Sequence, residues 1–247
     1  MREIAGRRIW IIGASAGIGQ ALALALAEQG AQLILSARDR PALEQLAADC
    51  GGAEVLPLDL AQVEDLRTAI ASIEVGSLDA VICAAALYQP GLVSDIEDSA
   101  LKQLIAVNLT AMIRIGRDVP PLLRDGGQLV LFGSVAGYMG LPKGQPYSAT
   151  KAAIANLAES LRTELAPRID VRLVSPGFVR TRLTEKNDFN MPAIMTPAEA
   201  AQEVIKGMQG RRFEIHFPRR LTLALKLLRV LPYRLSLAIT AKLGGSR

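Results

Sequence analysis

Short runs rich in valine, isoleucine and leucine alternate with longer helical patterns along most of this chain of 247 residues. Continuous apolar runs of this kind are typical of strands that are buried on both faces. Strands separated by helices pair in parallel and are joined by right-handed crossovers. The alternation therefore predicts an α/β fold, a Rossmann-like, doubly wound parallel sheet between helical layers, in a single domain.

Seven strands and six helices are predicted for the body of the chain from these patterns. The strands are residues 8–13, 32–37, 54–58, 79–85, 127–134, 170–177 and 211–217. The helices are Ile18–Gln29, a helix from Pro41, Gln62–Ile73, a long stretch from about Ser99 to Leu123, Tyr147–Leu165 and a helix that begins near Thr196. Pro120 and Pro121 loosen the end of the long stretch, because proline donates no backbone hydrogen bond.

Composition argues against a metal site or a disulfide scaffold. The chain has one histidine, His216, and no His-Glu-x-x-His motif, so we expect no metal. Cys50 and Cys83 follow no metal or disulfide spacing, which fits a reduced, cytoplasmic compartment. We expect no signal peptide, and no uncharged apolar run reaches the roughly 18 residues of a membrane-spanning helix.

A glycine-rich segment, GASAGIG, joins the first predicted strand to the first helix. Glycines at such a junction permit a tight turn and let backbone N–H groups approach a pyrophosphate at the helix N-terminus. A purely structural turn has the same composition, but its place at the first strand–helix junction favours dinucleotide binding. The candidate residues are Gly13, Ser15, Ala16, Gly17, Ile18 and Gly19.

The end of the second predicted strand bears on the choice between NADP and NAD. Dinucleotide folds place an acid there for the ribose 2′-hydroxyl. This chain has Ala37 at the expected position, followed by Arg38, and an arginine can pair with a 2′-phosphate through two hydrogen bonds. NADP is therefore preferred. NAD is the less favoured alternative, because Asp39 is adjacent and would serve the hydroxyl after a shift of one residue.

The segment YSATK places Tyr147 one helical turn before Lys151. Residues four apart on a helix are neighbours, so the phenol and the ammonium would lie side by side. A cation beside a phenol favours the phenolate and lowers the pKa of the phenol. The pair is a candidate proton-transfer device, although the same spacing also occurs on ordinary helix surfaces.

Taken in order, these motifs and four others resemble the short-chain dehydrogenase/reductase family. The other motifs are LDL with Asp59, VNL with Asn108, FGSVAG with Ser134 and SPGFVRT with Thr181. The similarity covers residues 7 to about 182, and Ser134 stands thirteen residues before Tyr147, as in the family. Each motif alone is weak, whereas the ordered set is specific.

The resemblance implies an oxidoreductase that transfers a hydride between NADP and a carbonyl or secondary alcohol. The catalytic residues that it implies are Asn108, Ser134, Tyr147 and Lys151. Besides the glycine-rich segment, the implied cofactor residues are Arg38, Asp59, Leu60, Ala84, Ala85, Asn108, Tyr147, Lys151, Pro176, Gly177, Val179 and Thr181. The implied substrate residues are Ser134, Tyr138, Tyr147 and Phe178.

Each implied catalytic residue has a role in the family. Ser134 positions the substrate oxygen, and Tyr147 exchanges a proton with it. Lys151 lowers the pKa of Tyr147 and holds the nicotinamide ribose. Asn108 interrupts its helix and holds a water that relays protons. The family is often dimeric or tetrameric, so a homo-oligomer is expected.

Two positions depart from the family pattern. Ile12 stands where the family usually has threonine, and residues 83–86 read CAAA where it usually has Asn-Asn-Ala-Gly. Both changes replace a hydrogen-bonding side chain by an apolar one. Losing both leaves fewer buried polar groups unmatched than losing one. We therefore expect altered bracing near the cofactor, with Cys83 as a small buried hydrophobe rather than a reactive thiol.

The substrate and the function class remain open at this point. Residues 183–198 are expected to form a loop over the site, with Phe189, Met191, Ile194 and Met195 either facing an apolar substrate or packing on the body. Met139, near the candidate Tyr138, is a further pocket residue. A non-catalytic dinucleotide sensor and a membrane-associated scaffold on the same fold are the alternatives.

The last part of the chain differs in charge from the rest. Residues 1–218 are expected to form the dinucleotide-binding and catalytic domain, and residues 219–247 an amphipathic helical extension divided by Pro232. Residues 211–247 carry nine basic groups and one acid, against 19 basic and 23 acidic groups in residues 1–210. Leu221, Leu225 and Leu228 fall on one side of the first helix, Lys226 and Arg229 on another. The extension packs on the body or a second subunit, or lies on an anionic membrane; nucleic acid is not expected.

Overall fold

Seven parallel strands in the order β3-β2-β1-β4-β5-β6-β7 form the centre of the molecule. A computed structural model describes residues 3–186 and 191–243. The strands are Arg8–Ile12 (β1), Gln32–Ser36 (β2), Glu54–Val55 (β3), Leu78–Cys83 (β4), Leu123–Phe132 (β5), Asp170–Pro176 (β6) and Glu214–Phe217 (β7). The predicted Rossmann-like, doubly wound sheet is confirmed.

Nine α-helices are present in the described part of the chain. They are Gly17–Glu28 (α1), Arg40–Asp49 (α2), Val63–Ala71 (α3), Asp98–Ile105 (α4), Ala111–Asp118 (α5), Tyr147–Glu164 (α6), Pro197–Gln209 (α7), Arg219–Val230 (α8) and Tyr233–Leu243 (α9). A π-helical segment, Ala106–Thr110, joins α4 to α5. The predicted helix near Thr196 is α7, and the side chains of Thr196 and Glu199 form a capping box at its start. No helix described here is long and apolar enough to cross a membrane.

Alternate side chains of each strand enter two apolar cores on opposite faces of the sheet. In β1, Ile9 and Ile11 join the core beside α1, α2 and α7, whereas Trp10 and Ile12 join the core beside α3, α5 and α6. All four side chains are at most 1% exposed. Burial on both faces explains why the strand sequences show no polar alternation.

Proline accounts for two differences from the predicted element bounds. The long helical stretch ends at Asp118 rather than Leu123, and residues 120–122 form a short 3-10 turn before β5. Pro120 and Pro121 provide no N–H to continue the α-helix. The third strand contains only Glu54 and Val55 instead of the five predicted residues, since Pro57 interrupts the ladder.

Candidate active site

A cleft of about 730 Å³ opens at the carboxyl ends of the strands. Its walls follow β1, β2, β4, β5 and β6, and it includes the point between β1 and β4 where the strand order reverses. Ligands of open α/β sheets bind at such a point. The volume lies within the usual range of small-molecule sites.

The glycine-rich segment forms one wall of this cleft at the start of α1. Gly13 has φ +92°, and a Cβ there would lie 2.5 Å from the backbone nitrogen of Ala85. A Cβ on Gly19 would lie 2.0 Å from the carbonyl oxygen of Gly13. Glycine is therefore required at both positions by close backbone packing. All six candidates of the segment, Gly13, Ser15, Ala16, Gly17, Ile18 and Gly19, line the cleft.

Arg38 and Asp39, the two residues that bear on the choice between NADP and NAD, have different surroundings after β2. Arg38 is exposed and lines the cleft. Asp39 also reaches the cleft, but its carboxylate accepts a hydrogen bond of 3.1 Å from the backbone N–H of Ala42 and caps α2. The cap uses one oxygen of the Asp39 carboxylate for the helix terminus.

The remaining cofactor candidates follow the ends of other strands. Those that line the cleft are Asp59, Leu60, Ala84, Ala85, Pro176, Gly177, Val179 and Thr181. One carboxylate oxygen of Asp59 accepts a hydrogen bond of 2.9 Å from the N–H of Ala61. The methyl carbon of Thr181 would lie 3.0 Å from a Cβ on Gly17, so the two walls approach each other closely there.

Ser134, Tyr147 and Lys151 meet at the inner end of the cleft. Tyr147 begins α6, and its phenol is hydrogen-bonded to Ser134, which follows β5. The Lys151 ammonium lies 5.5 Å from the centroid of the Tyr147 ring and donates a hydrogen bond of 2.7 Å to the carbonyl oxygen of Phe132. The structure therefore brings together three of the four predicted catalytic residues.

Burial dominates the proton affinities of this group. It raises the pKa of Tyr147 to about 12, the hydrogen bond to Ser134 acts in the opposite direction, and nearby Tyr88 raises it further. Burial also lowers the pKa of Lys151 to about 8. The expected lowering of the Tyr147 pKa is thus not found, because removal of the phenol from water outweighs the favourable contacts. The phenol of Tyr147 is therefore neutral at pH 7.

Asn108 lies behind the cleft and not in its lining. It is fully buried in the π-helical segment Ala106–Thr110, which is the helix interruption expected at this residue. Its side-chain amide donates to the carbonyl oxygen of Leu87 and accepts from the N–H of Leu87, both at 2.8 Å. It also lies 3.4 Å from the hydroxyl of Thr150. The amide therefore braces the chain beyond β4 against α6.

The two departures from the family pattern lie side by side. Ile12 and Cys83 are register partners across β1 and β4, and each is 1% exposed. Both belong to the same apolar core. Burial raises the pKa of the Cys83 thiol to about 12, so it stays protonated and inert. The backbone N–H groups of Ala84 and Ala85 bond to the carbonyl oxygen of Ile12 at 2.9 and 3.1 Å, which braces this edge without side chains.

Two predicted substrate residues are not brought into the cleft lining. The Tyr138 hydroxyl instead donates a hydrogen bond of 2.5 Å to Glu214 on β7, and Tyr138 is only 8% exposed. Phe178 is half-buried beside the cleft, where its carbonyl oxygen accepts from the N–H of Met195 at 3.0 Å. The orientation of Tyr138 depends on Glu214 of β7, and that of Phe178 depends on the backbone pairing with Met195. Local sequence reveals neither contact.

Tyr88, in contrast, lines the cleft and was missed in the sequence. Its ring meets the Tyr147 ring edge to face, with centroids 4.9 Å apart. Its place five residues after the end of β4 was the available signal, since chain segments that follow parallel strands border such clefts.

The loop expected over the site is closed at its base by backbone pairing. The N–H of Arg180 donates to the carbonyl oxygen of Met195 at 2.9 Å, and the N–H of Met195 donates to Phe178. Met195 packs on the core beside α1 and α7, which favours the body-packing alternative for this residue. Phe189 lies outside the described residues. Arg182, Leu183 and Thr184 from the start of the loop line the cleft.

Comparison with known proteins gives a consistent picture. A family model described as short chain dehydrogenase matches residues 7–191. An uncharacterized oxidoreductase of Myxococcus xanthus is 32% identical over 94% of this chain and 95% of its own. The 11-beta-hydroxysteroid dehydrogenase A of Sesamum indicum is also 32% identical over 76% of this chain, which spans only 57% of that protein.

Solved structures share the fold over nearly the whole chain. A short-chain dehydrogenase from Sphingobium yanoikuyae, solved with NADPH, is 28% identical, with a TM-score of 0.79 over 98% of this chain and 96% of its own. A short-chain dehydrogenase/reductase from Burkholderia phymatum, solved with NAD, has a TM-score of 0.81 over 92% of this chain and 94% of its own, at 20% identity. The second likeness bears on the fold alone.

Proposed function

The chain belongs to the short-chain dehydrogenase family, and we propose that it is an NADP-dependent oxidoreductase acting on an apolar carbonyl compound or secondary alcohol. The observation that carries the proposal is the grouping of Ser134, Tyr147 and the buried Lys151 in the lining of the cleft. A neutral phenol and an ammonium beside it form a unit for delivering a proton to a substrate oxygen. The same residues serve the reverse reaction, in which the proton moves back.

The cleft fits a nicotinamide dinucleotide. The glycine-rich segment lines the cleft at the start of α1, where pyrophosphate binds in such folds. Asp59 and Leu60 would hold the adenine side, and Pro176, Gly177, Val179 and Thr181 the nicotinamide side. Ala84 and Ala85 form the wall between them. The bound nicotinamide supplies or accepts the hydride.

NADP is the proposed cofactor because Arg38, after the end of β2, is available for a 2′-phosphate. The guanidinium of Arg38 has no ion pair within residues 3–186 and 191–243, and it reaches the cleft. Asp39 is engaged as the cap of α2, which argues against its use for a free ribose hydroxyl. The solved relative from Sphingobium yanoikuyae that carries NADPH is consistent with this choice.

Each catalytic side chain has a proposed task that follows from its contacts. Ser134 holds the substrate oxygen next to the phenol, and Tyr147 gives that oxygen its proton. The charge of Lys151 stabilises the phenolate that remains, since an opposite charge favours the ionised form. Asn108 keeps the chain after β4 in place through Leu87, and we retain its relay water as a proposal.

The proposal extends to partners and location. A small-molecule substrate and a homo-dimer or homo-tetramer are expected from the family. The free cysteines Cys50 and Cys83 fit the reducing cytoplasm. The C-terminal extension is proposed as a site of peripheral membrane contact, in addition to catalysis by the body.

A substrate panel with purified full-length protein tests the proposed function. NADPH or NADH absorbance is followed with apolar ketones, aldehydes and secondary alcohols. Turnover with NADPH is expected for at least one apolar carbonyl, with a lower KM for NADPH than for NADH. Binding of NADPH without turnover of any compound would instead support the non-catalytic dinucleotide sensor.

A further inference from the structure

The two C-terminal helices expose most of the large apolar side chains on the described surface. Seven of the eleven that are exposed belong to residues 223–239. On α8 they are Leu223, Leu227 and Val230, which are 56%, 65% and 76% exposed. Their spacing of four and three places them in one stripe along the helix. On α9 they are Tyr233, Leu235, Leu237 and Ile239.

Polar residues attach α8 to the body. Thr222 is fully buried, and its hydroxyl lies 2.7 Å from Nδ1 of His216 on β7. Further along α8, the Lys226 ammonium pairs with the Glu214 carboxylate on the same strand. Ser236 and Thr240 are the buried side chains of α9, at 3% and 4% exposure. The stripe of Leu223 and Leu227 therefore points away from the body, in contrast to an ordinary surface helix.

The sequence analysis predicted only one of the two apolar sides of α8. Leu228 is buried and Leu221 and Leu225 are half-buried, so the predicted apolar side does pack inward. Lys226, expected on another side of the helix from these leucines, pairs with Glu214 of β7. The outward stripe is a second apolar side of the same helix.

Positive charge surrounds the exposed apolar side chains without any neighbouring acid of the extension. Five basic residues of α8 and α9 are exposed: Arg219, Arg220, Arg229, Arg234 and Lys242. No Asp or Glu follows Glu214 in the sequence, and Glu214 is already paired. The surface is therefore complementary in charge to an anionic partner.

We propose that the outward surface of α8 and α9 docks in the plane of an anionic lipid membrane. Apolar side chains would enter the boundary between headgroups and acyl chains, and the arginines and Lys242 would contact lipid phosphates. With 12 and 11 residues, α8 and α9 are about 18 and 16 Å long, which suits lying on a bilayer and not spanning it.

Charge disfavours the other occupants of this surface. A two-fold symmetric dimer through the same surface would bring two copies of the five exposed cations into one interface, with no unpaired acid of either extension to balance them. Nucleic acid would meet the cations but would leave the leucine stripe in water. A bilayer with anionic headgroups satisfies both the charge and the apolar side chains.

Docking would also place the cleft close to the membrane. A Cβ on Gly177, which lines the cleft, would lie 2.9 Å from the side chain of Leu221 on α8. The helix therefore lies directly behind the cleft wall. If the proposed function holds, apolar substrates dissolved in the bilayer would have a short path to the site, whereas the docking itself does not depend on that function.

Vesicle flotation with the full-length protein tests the docking. Vesicles of phosphatidylcholine alone are compared with vesicles that also contain phosphatidylglycerol. The wild type is expected to float with the anionic vesicles only. Leu227→Glu is expected to lower the partition coefficient by about tenfold or more, and Arg220→Gln by about fivefold. Val75→Glu is the matched control, because Val75 is 72% exposed in the loop between α3 and β4.

The outcomes separate a membrane from a second subunit. Loss of flotation by Leu227→Glu, with normal flotation of Val75→Glu, supports the proposal. No binding of the wild type to anionic vesicles overturns it, as does equal binding of all four proteins. A change in the molar mass of the particle in Leu227→Glu, measured by light scattering without vesicles, would also overturn it in favour of a subunit interface.

Discussion

The ammonium of Lys151 lies 5.5 Å from the ring centroid of Tyr147 and is held by a backbone carbonyl, that of Phe132. Within the described parts of the chain, no carboxylate forms an ion pair with Lys151. A carbonyl fixes the position of an ammonium without neutralising it, so the full charge remains for the phenol. Burial makes this arrangement costly, as the lowered pKa of Lys151 shows.

Replacement of Tyr147 by phenylalanine is expected to remove most turnover. Loss of positioned acid catalysis lowers kcat by roughly 10²- to 10⁴-fold. The affinity for NADPH, measured by its fluorescence, should stay close to that of the wild type, because the ring and its packing remain. Tyr233→Phe, at a tyrosine that is 83% exposed on the C-terminal surface, is the matched control. Full activity of Tyr147→Phe would disprove the assigned role.

Stability at alkaline pH should reveal the buried charge of Lys151. Burial lowers its pKa from 10.5 to about 8, so between these values the unfolded chain binds more protons than the folded one. The free energy of unfolding of the wild type should therefore rise with pH over this window, by roughly 3 kcal/mol relative to Lys151→Met. Denaturant unfolding of both proteins between pH 7 and pH 10 measures the difference. A constant difference would show that Lys151 is not buried as a charge.

The sheet could be predicted from the sequence, and many of the candidate site residues line the cleft, because both depend on order along the chain. In a parallel sheet, whatever follows each strand meets at one edge, so Gly13, Ala84, Ser134 and Gly177 converge once the strands are assigned. The chemistry of a local segment such as YSATK is also visible without tertiary contacts.

Side-chain direction across distant elements was not accessible in the same way. The Tyr138 hydroxyl turns to Glu214, 76 residues further on, and the ring of Tyr88 meets Tyr147 across 59 residues. The direction predicted for the pKa shift of Tyr147 was wrong. The spacing between Tyr147 and Lys151 reveals the nearby cation, but it does not reveal the burial that outweighs the cation.

Arg38 is expected to determine the preference for NADPH. Charge-assisted hydrogen bonds are each worth about 1.5 to 3 kcal/mol, so Arg38→Ala should raise the dissociation constant for NADPH by about 10- to 100-fold. Binding of NADH should change little. Arg40→Ala is the control, as Arg40 is an exposed arginine two residues away that pairs with Glu44. An equal loss for NADH and NADPH would remove the 2′-phosphate contact from the proposal.

Gly19 should tolerate no side chain. A Cβ there would lie 2.0 Å from the carbonyl oxygen of Gly13, and backbone on that side cannot move without opening the loop. Gly19→Ala should therefore cost about 1 to 3 kcal/mol of stability and abolish NADPH binding at concentrations that saturate the wild type. Gly140→Ala meets no atom within 4 Å and should change stability by less than about 0.5 kcal/mol. Thermal unfolding with and without NADPH distinguishes the two variants.

Tyr138 should act on stability and not on substrate binding. Its hydroxyl donates to Glu214, which also pairs with Lys226 of α8, so the phenol links the segment after Ser134 to the C-terminal helix. Tyr138→Phe leaves the ring but removes this hydrogen bond to a charged group, at a cost of about 1 to 3 kcal/mol. We expect a lower unfolding midpoint in urea, with kcat and KM near the wild-type values below that midpoint. The opposite result, a raised KM with unchanged stability, would place the hydroxyl at the substrate after all.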